Sequence, residues 1–155
     1  MAKEVKQLKT WQKVFFLIVI AAAIGFKLYS YHWPKATVSI GGQEIKVLVA
    51  DTYDHELTGW SNKKDMGQYQ GMLFYFSSRD QHAMVMRNML FPLDIAWIDG
   101  NQIVDMASNL PPDNHPESQL YPYMSREPST LVLELPAGFL QQNKVKIGDT
   151  IGVIY

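Results

Sequence analysis

An unbroken apolar run, Val14 to Phe26, follows a lead that carries Lys3, Lys6, Lys9 and Lys13. No other feature limits the fold of the chain as strongly. The run has thirteen residues, whereas a bilayer span takes ~20. Lys27 interrupts it, and Leu28, Tyr29, Tyr31 and Trp33 carry it on. The stretch 14–33 is therefore long enough if the Lys27 ammonium snorkels to the headgroups. Aromatics at the far end suit one membrane interface, and Trp11 suits the other. Lysines ahead of a span keep the N-terminus in the cytoplasm and send the rest of the chain across. The same segment also fits a cleaved signal peptide, with a basic lead, a short apolar stretch and small residues at Ala21, Ala22 and Ala23. A helix apolar all round behind four lysines suits the core of a soluble domain poorly. The expected organisation is a basic cytoplasmic lead (1–13), a transmembrane anchor or signal peptide (14–33) and a globular domain (36–155). That places the domain outside the cytoplasm, either on a single-pass cell-membrane anchor or secreted after cleavage.

Charge divides the same way. Residues 1–35 hold six lysines against one glutamate, while 36–155 hold eight Lys and Arg against fourteen Asp and Glu. Phosphate-backbone binding needs clustered cations to release counterions. An acidic domain without a basic stripe is therefore not expected to take nucleic acid as a partner. The absence of cysteine excludes a disulfide framework, an iron–sulfur cluster and a Cys-based zinc site.

Beyond residue 35 the pattern is short strands and frequent turns. "ATVSIGGQEIKVLVAD" reads as a hairpin closed by Gly41-Gly42 in a primed turn. That register puts Ala36, Val38, Ile40, Ile45, Val47 and Val49 on one face. "DTYDHELTGW" predicts a short helix, capped by Asp51 or Thr52 and ended by Gly59. "GMLFYF" has no polar face and predicts a central strand, "SSRDQ" a turn and "HAMVM" the next strand. "LDIAWIDGNQIVDMAS" predicts a second hairpin around Gly100. Its Leu93, Ile95 and Trp97 would share a face with Val104 and Met106, and Asp94, Ala96 and Ile98 the other with Ile103, Asp105 and Ala107. "STLVLEL" is a further strand, "PAGFLQQN" holds a helical turn, and "KIGDTIGVIY" turns at Gly148-Asp149 into a last strand. Together these predict a mainly β domain, a small antiparallel barrel or sandwich with short helices. Asn109 to Ser129 holds five of the eight prolines. Unstructured loops of that length are uncommon and often serve as lids or binding loops.

"GMLFYF", "MRNMLFPLDIAWID", "VLELPAG" and "IGDTI", in this order and near these spacings, resemble the family catalogued as domain of unknown function 192. The resemblance covers about Val47 to Val153. It implies a compact, mostly β fold with short helices, often exported behind a signal or anchor, and it implies no activity. Two positions depart from the family's pattern. Gly59-Trp60-Ser61-Asn62 stands where the family commonly reads Gly-Leu-Met-aromatic, and Arg87-Asn88-Met89 stands where it reads Lys-Asn-Thr.

Arg87, Asn88 and Asp94 are polar groups inside an apolar segment. Pro92 lacks an N–H and belongs at a strand start, so these residues are expected at a rim of the barrel. One reading is structural: Arg87 pairs with Asp94, and Asn88 bonds backbone at the bend. The other is a ligand site. Arg87 would offer a fork of donors for a carboxylate or phosphate, Asn88 an amide, and Tyr121 and Tyr123 from the Pro-rich loop would close over a small-molecule or envelope ligand. Asp94 would complete that set. No catalytic residue and no cofactor is expected. His82, Met84 and Met86 share a strand face in a regular strand and form a minor candidate for Cu(I). Glu134 and Asp94 are the carboxylates that a small hydrolase would need, although Glu134 equally fits a solvent-facing position. The function expected is a membrane-anchored extracytoplasmic binding module; the alternative is a small hydrolase-like enzyme.

Overall fold

The computed structural model describes residues 9–30 and 32–155. Lys3, Lys6 and Tyr31, which figure in the membrane reading, lie outside the described residues. The chain divides into two units, the first ending at Trp33 and the second running Pro34–Tyr155.

In the first unit, α1 spans Thr10–Ser30. Within it Thr10–Tyr29 is long and apolar enough to cross a bilayer, and that window is not buried within the protein. Length and composition of this kind suit a membrane anchor or a signal peptide.

The second unit is mostly β. Its main strands are β1 (Lys35–Ile40), β2 (Gln43–Ala50), β3 (Met72–Asp80), β5 (Leu93–Asp99), β6 (Gln102–Leu110), β8 (Ser129–Pro136) and β9 (Gly152–Ile154). They form one curled, half-barrel sheet in the order β6-β5-β8-β3-β2-β1-β9. The segment before β9 reaches back to the other edge. Ile103 N–H bonds Asp149 O at 2.9 Å and Ile151 N–H bonds Asn101 O at 2.8 Å, while β9 pairs with β1. Two short strands, β4 (Ala83–Met84) and β7 (Tyr123–Met124), pair with each other outside the main sheet. Three short helices complete the unit: α2 (Tyr53–Thr58), a 3₁₀ turn at Glu117–Gln119, and α3 (Phe139–Gln142).

The first hairpin forms as its alternation predicts. Gly41 and Gly42 take φ of 58° and 76°, a left-handed pair that side chains disfavour. Ala36, Val38, Ile40, Ile45, Val47 and Val49 all enter one buried cluster with Leu73, Ala96, Ile98, Ile103, Leu131, Leu133 and Leu135. Each fully buried Val, Leu or Ile contributes about 1.5–3 kcal/mol. Helix α2 is also as expected: Thr52 Oγ1 accepts the His55 N–H, and Gly59 ends the helix at φ 45°.

Four details differ from the expectation. β2 and β3 pair in parallel, because α2 and residues 59–71 form a crossover between them. The "SSRDQ" turn is absorbed into β3, which runs on past an irregularity to pair Asp80 with Ser129. "HAMVM" contributes only Ala83–Met84 as strand and does not join the main sheet, since β5 is already flanked by β6 and β8. It lies in a second layer instead, where Met84 and Met86 are buried and Trp97 Nε1 donates to His82 O at 2.8 Å. Finally, a bulge in β6 at Val104 pairs Ile98 with Ile103 but Trp97 with Asp105. The extra residue exchanges faces, so Asp105 lies beside Trp97 and not with Ile98 and Asp94.

Candidate functional site

The sheet has two buried faces. One carries the core cluster. On the other, β3 and β8 present Phe74, Phe76 and Glu134 beneath α2 and residues 83–89. Between these layers lies a cavity of about 210 Å³. Its floor is Phe74, Phe76 and Glu134; one wall is Tyr53, Glu56, Leu57 and Trp60, and the other is Ala83, Met84, Val85, Arg87 and Met89. Most of this lining is apolar. Trp60 Nε1, Arg87 Nε and Glu134 Oε2 are buried and have no hydrogen-bond partner among the described residues.

Strand register explains why Glu134 is here. Ile95 pairs with Glu134 and Asp94 with Leu135, so Glu134 shares the Ile95 face and Asp94 the opposite one. Glu134 is only 5% exposed. The second layer covers it, which overturns the solvent-facing expectation. Burial without a cation or donor favours the neutral carboxyl and pushes its pKa up to about 8. Burial also raises the Glu56 pKa; the charge on His82 opposes this and that on Asp51 adds to it.

Arg87 is placed by the chain on either side of it. Ser61 Oγ donates to Arg87 O at 2.8 Å, and Asn62 N–H donates to Asn88 O at 2.8 Å. Asp113 N–H donates to Met86 O at 3.0 Å, tying the Pro-rich segment to the same turn. Outside the cavity Arg87 Nη1 lies 3.3 Å from Glu117 Oε1.

The five candidate residues do not form one site. Arg87 lines the cavity. Asn88 is exposed at φ 52°, where asparagine is tolerated, and serves the turn. Asp94 is fully buried on the other face. Its carboxylate accepts the Asn109 N–H at 2.8 Å and the Leu140 N–H at 2.9 Å. The expected Arg87–Asp94 pair is therefore replaced by Arg87–Glu117, because the two side chains serve different layers. Tyr121 and Tyr123 pack edge-to-face at 4.9 Å and border a separate cleft with Pro111, Pro112, Asp113, Asn114, His115 and Gln119. In that cleft the His115 and Tyr121 backbone N–H groups hold the Asp113 carboxyl below the usual carboxylate range.

The minor candidates separate too. His82 stacks on Phe76 at 3.8 Å and its Nε2 lies 3.0 Å from Ser78 O. Glu134 and Asp94 face away from each other across the sheet, which removes them as an acid–base pair. Trp60 and Glu56 carried no signal of a site in the sequence. Only the crossover brings α2 over β8.

A family model for domain of unknown function 192 (DUF192), described as Uncharacterized ACR, matches residues 36–153. The chain belongs to this family. Two solved structures resemble this DUF192 chain. A protein of unknown function from Novosphingobium aromaticivorans is 24% identical, with 77% of this chain and 84% of that one covered at a TM-score of 0.65. A protein from Sinorhizobium meliloti, described as a candidate transcription regulator, is 28% identical, with 79% and 95% covered at a TM-score of 0.67. No curated protein matches. The two departures from the DUF192 pattern seen in the sequence, at Trp60 and Met89, both fall on the cavity wall.

Proposed function

We propose that this protein is a membrane-tethered binding module that holds a small molecule in the cavity between α2 and residues 83–89. One observation carries the reading: three buried polar groups without partners among the described residues, on Trp60, Arg87 and Glu134, belong to residues that line a single cavity. An unsatisfied buried polar group costs about 1–3 kcal/mol. Three in one mostly apolar hollow are better explained by a ligand than by the fold, and apolar cavities with a few polar groups are the usual form of small-molecule sites. The apolar α1 behind a lysine-bearing lead supports an anchor with the N-terminus in the cytoplasm and residues 36–155 across the membrane, where the ligand would be an envelope component or an imported small molecule. The regulator description of the S. meliloti relative gains no support here, because residues 36–155 carry an acidic excess.

A second reading, a small enzyme, draws on Glu134. A carboxyl kept neutral near pH 7 by burial is what a general acid requires. Glu56 is the second carboxyl bordering the cavity.

The test uses the full chain extracted from its host membranes in mild detergent and examined by native mass spectrometry. Wild type should carry a small adduct that is missing from Ala83→Trp, a substitution at an exposed residue on the cavity wall. Indistinguishable spectra without an adduct would overturn the binding reading.

A further inference from the structure

We propose that the cavity takes a small monocarboxylate with an apolar body, its carboxylate held by Arg87, Trp60 and Glu134; this rests on the cavity being a binding site. The indole N–H and the guanidinium Nε–H can only donate. A ligand that completes them must accept.

Glu134 adds to the same demand. It is buried on β8 without a donor or cation bonded to it. Its neutral form carries an O–H that donates to an anion, as a carboxylic acid does to a carboxylate. Arg87 is the one basic residue lining the cavity. Glu117 engages its Nη1 from outside, at 3.3 Å, and Nε has no partner among the described residues. A planar guanidinium edge matches the planar carboxylate better than it matches a lone carbonyl or hydroxyl.

The remaining lining sets the body of the ligand. Phe74, Phe76, Met84 and Met89 are apolar. The volume of about 210 Å³ lies below the ~300–1,000 Å³ of drug-sized pockets, room for one ring or a short branched chain. An amine would meet the Arg87 cation and the donor-only Trp60 N–H, with Glu56 and Glu134 as the carboxyls to receive it.

The titratable and charged groups around Glu134 are Glu56 and Tyr53 from α2 and Arg87 from the second layer. His82 acts on Glu56, and Glu117 lies behind Arg87. Ionisation of Glu134 in alkali would set a second carboxylate against the ligand's, so affinity should fall as pH rises from 7 to 9.

The test is calorimetry on the full chain in detergent with benzoate, benzamide and benzylamine as probes. Benzoate should bind at least about ten-fold tighter than its isostere benzamide or the cation benzylamine, the scale of one hydrogen bond to a charged group. Arg87→Met should cost benzoate about ten-fold. Glu117→Gln, which breaks only the outer pair, should stay within about two-fold, the scale of a surface ion pair. Glu134→Gln, which keeps a donor, should bind benzoate at pH 7 and lose the weakening towards pH 9. Equal binding of benzamide or benzylamine, or an unchanged Kd in a folded Arg87→Met, overturns the carboxylate assignment. If benzoate fails while an adduct sensitive to Ala83→Trp persists in the mass spectrum, the ligand class is wrong and the cavity reading stands. Absence of any such adduct removes the cavity reading itself.

Discussion

Replacing Glu134 by Gln should change how the stability of the domain depends on pH. Glu134 sits at the floor of the cavity, and burial raises its pKa from 4.5 to about 8. The folded state therefore holds a proton that the unfolded state releases above pH 4.5. Stability is at its fullest below 4.5, falls as pH rises, and levels off once the folded carboxyl also ionises above 8. At ~1.36 kcal/mol per pKa unit, the loss is about 3 kcal/mol at pH 7 and up to about 5 kcal/mol by pH 9. The Gln variant has no proton to lose. Urea unfolding of residues 34–155 at pH 5, 7 and 9 measures this as the difference between variant and wild type, in which the other carboxylates cancel. The variant should gain on wild type by that amount as pH rises. A constant difference across the three pH values would refute the idea that Glu134 is buried and uncompensated.

Other perturbations probe the parts that position the site. Asp94→Ala leaves the buried Leu140 N–H and the partly buried Asn109 N–H without their acceptor; it should cost about 2–4 kcal/mol in urea unfolding, whereas loss below 1 kcal/mol would mean the two bonds are dispensable. At Gly71 an added Cβ would lie 2.5 Å from Glu134 O, so Gly71→Ala should shift β3 against β8 and cost about 1–3 kcal/mol, with an unchanged melting temperature as the contrary result. Arg126 holds the Asp105 carboxyl below its ordinary range, chiefly by side-chain hydrogen bonding; Arg126→Met should raise the Asp105 midpoint in a carboxyl-carbon NMR titration. The stabilisation from that pair is present above 3.8 and lost as pH falls through the lower folded value, so a wild-type midpoint at 3.8 or above would contradict it. A C-terminal alkaline phosphatase fusion should be active in cells if α1 sends the domain across the membrane, and inactive if the domain stays in the cytoplasm.

Much of the fold was legible because its signals are local. The alternation from Ala36 to Val49 and the Gly41-Gly42 turn set a hairpin by themselves, and Thr52 and Gly59 bound α2 by their own chemistry. The bulge at Val104 was not legible, since an inserted residue leaves no mark in an alternating sequence and yet exchanges the faces from Asp105 to Ala107, until a second irregularity before Leu110 restores them. Nor was the layer formed by Ala83 to Met89, because an apolar run reads alike as central strand or as cover. The site followed the same division. Arg87 stood out as a cation in an apolar segment, and the cavity does use it. Asp94 stood out equally and proved to be a backbone acceptor, a role decided by Leu140 far along the chain. Tyr121 and Tyr123, expected to close over a ligand beside Arg87, instead pack on each other and border another cleft. Glu134 was visible only as a carboxylate between leucines, and Trp60 not at all, because their meeting depends on the parallel crossover between β2 and β3.

Whether the hollow over Glu134 seats a ligand is decided by a crystal structure of residues 34–155 purified from the native host. Organic density in contact with Arg87, Trp60 and Glu134 is the result expected. Ordered water alone, bridging those three side chains, would contradict it.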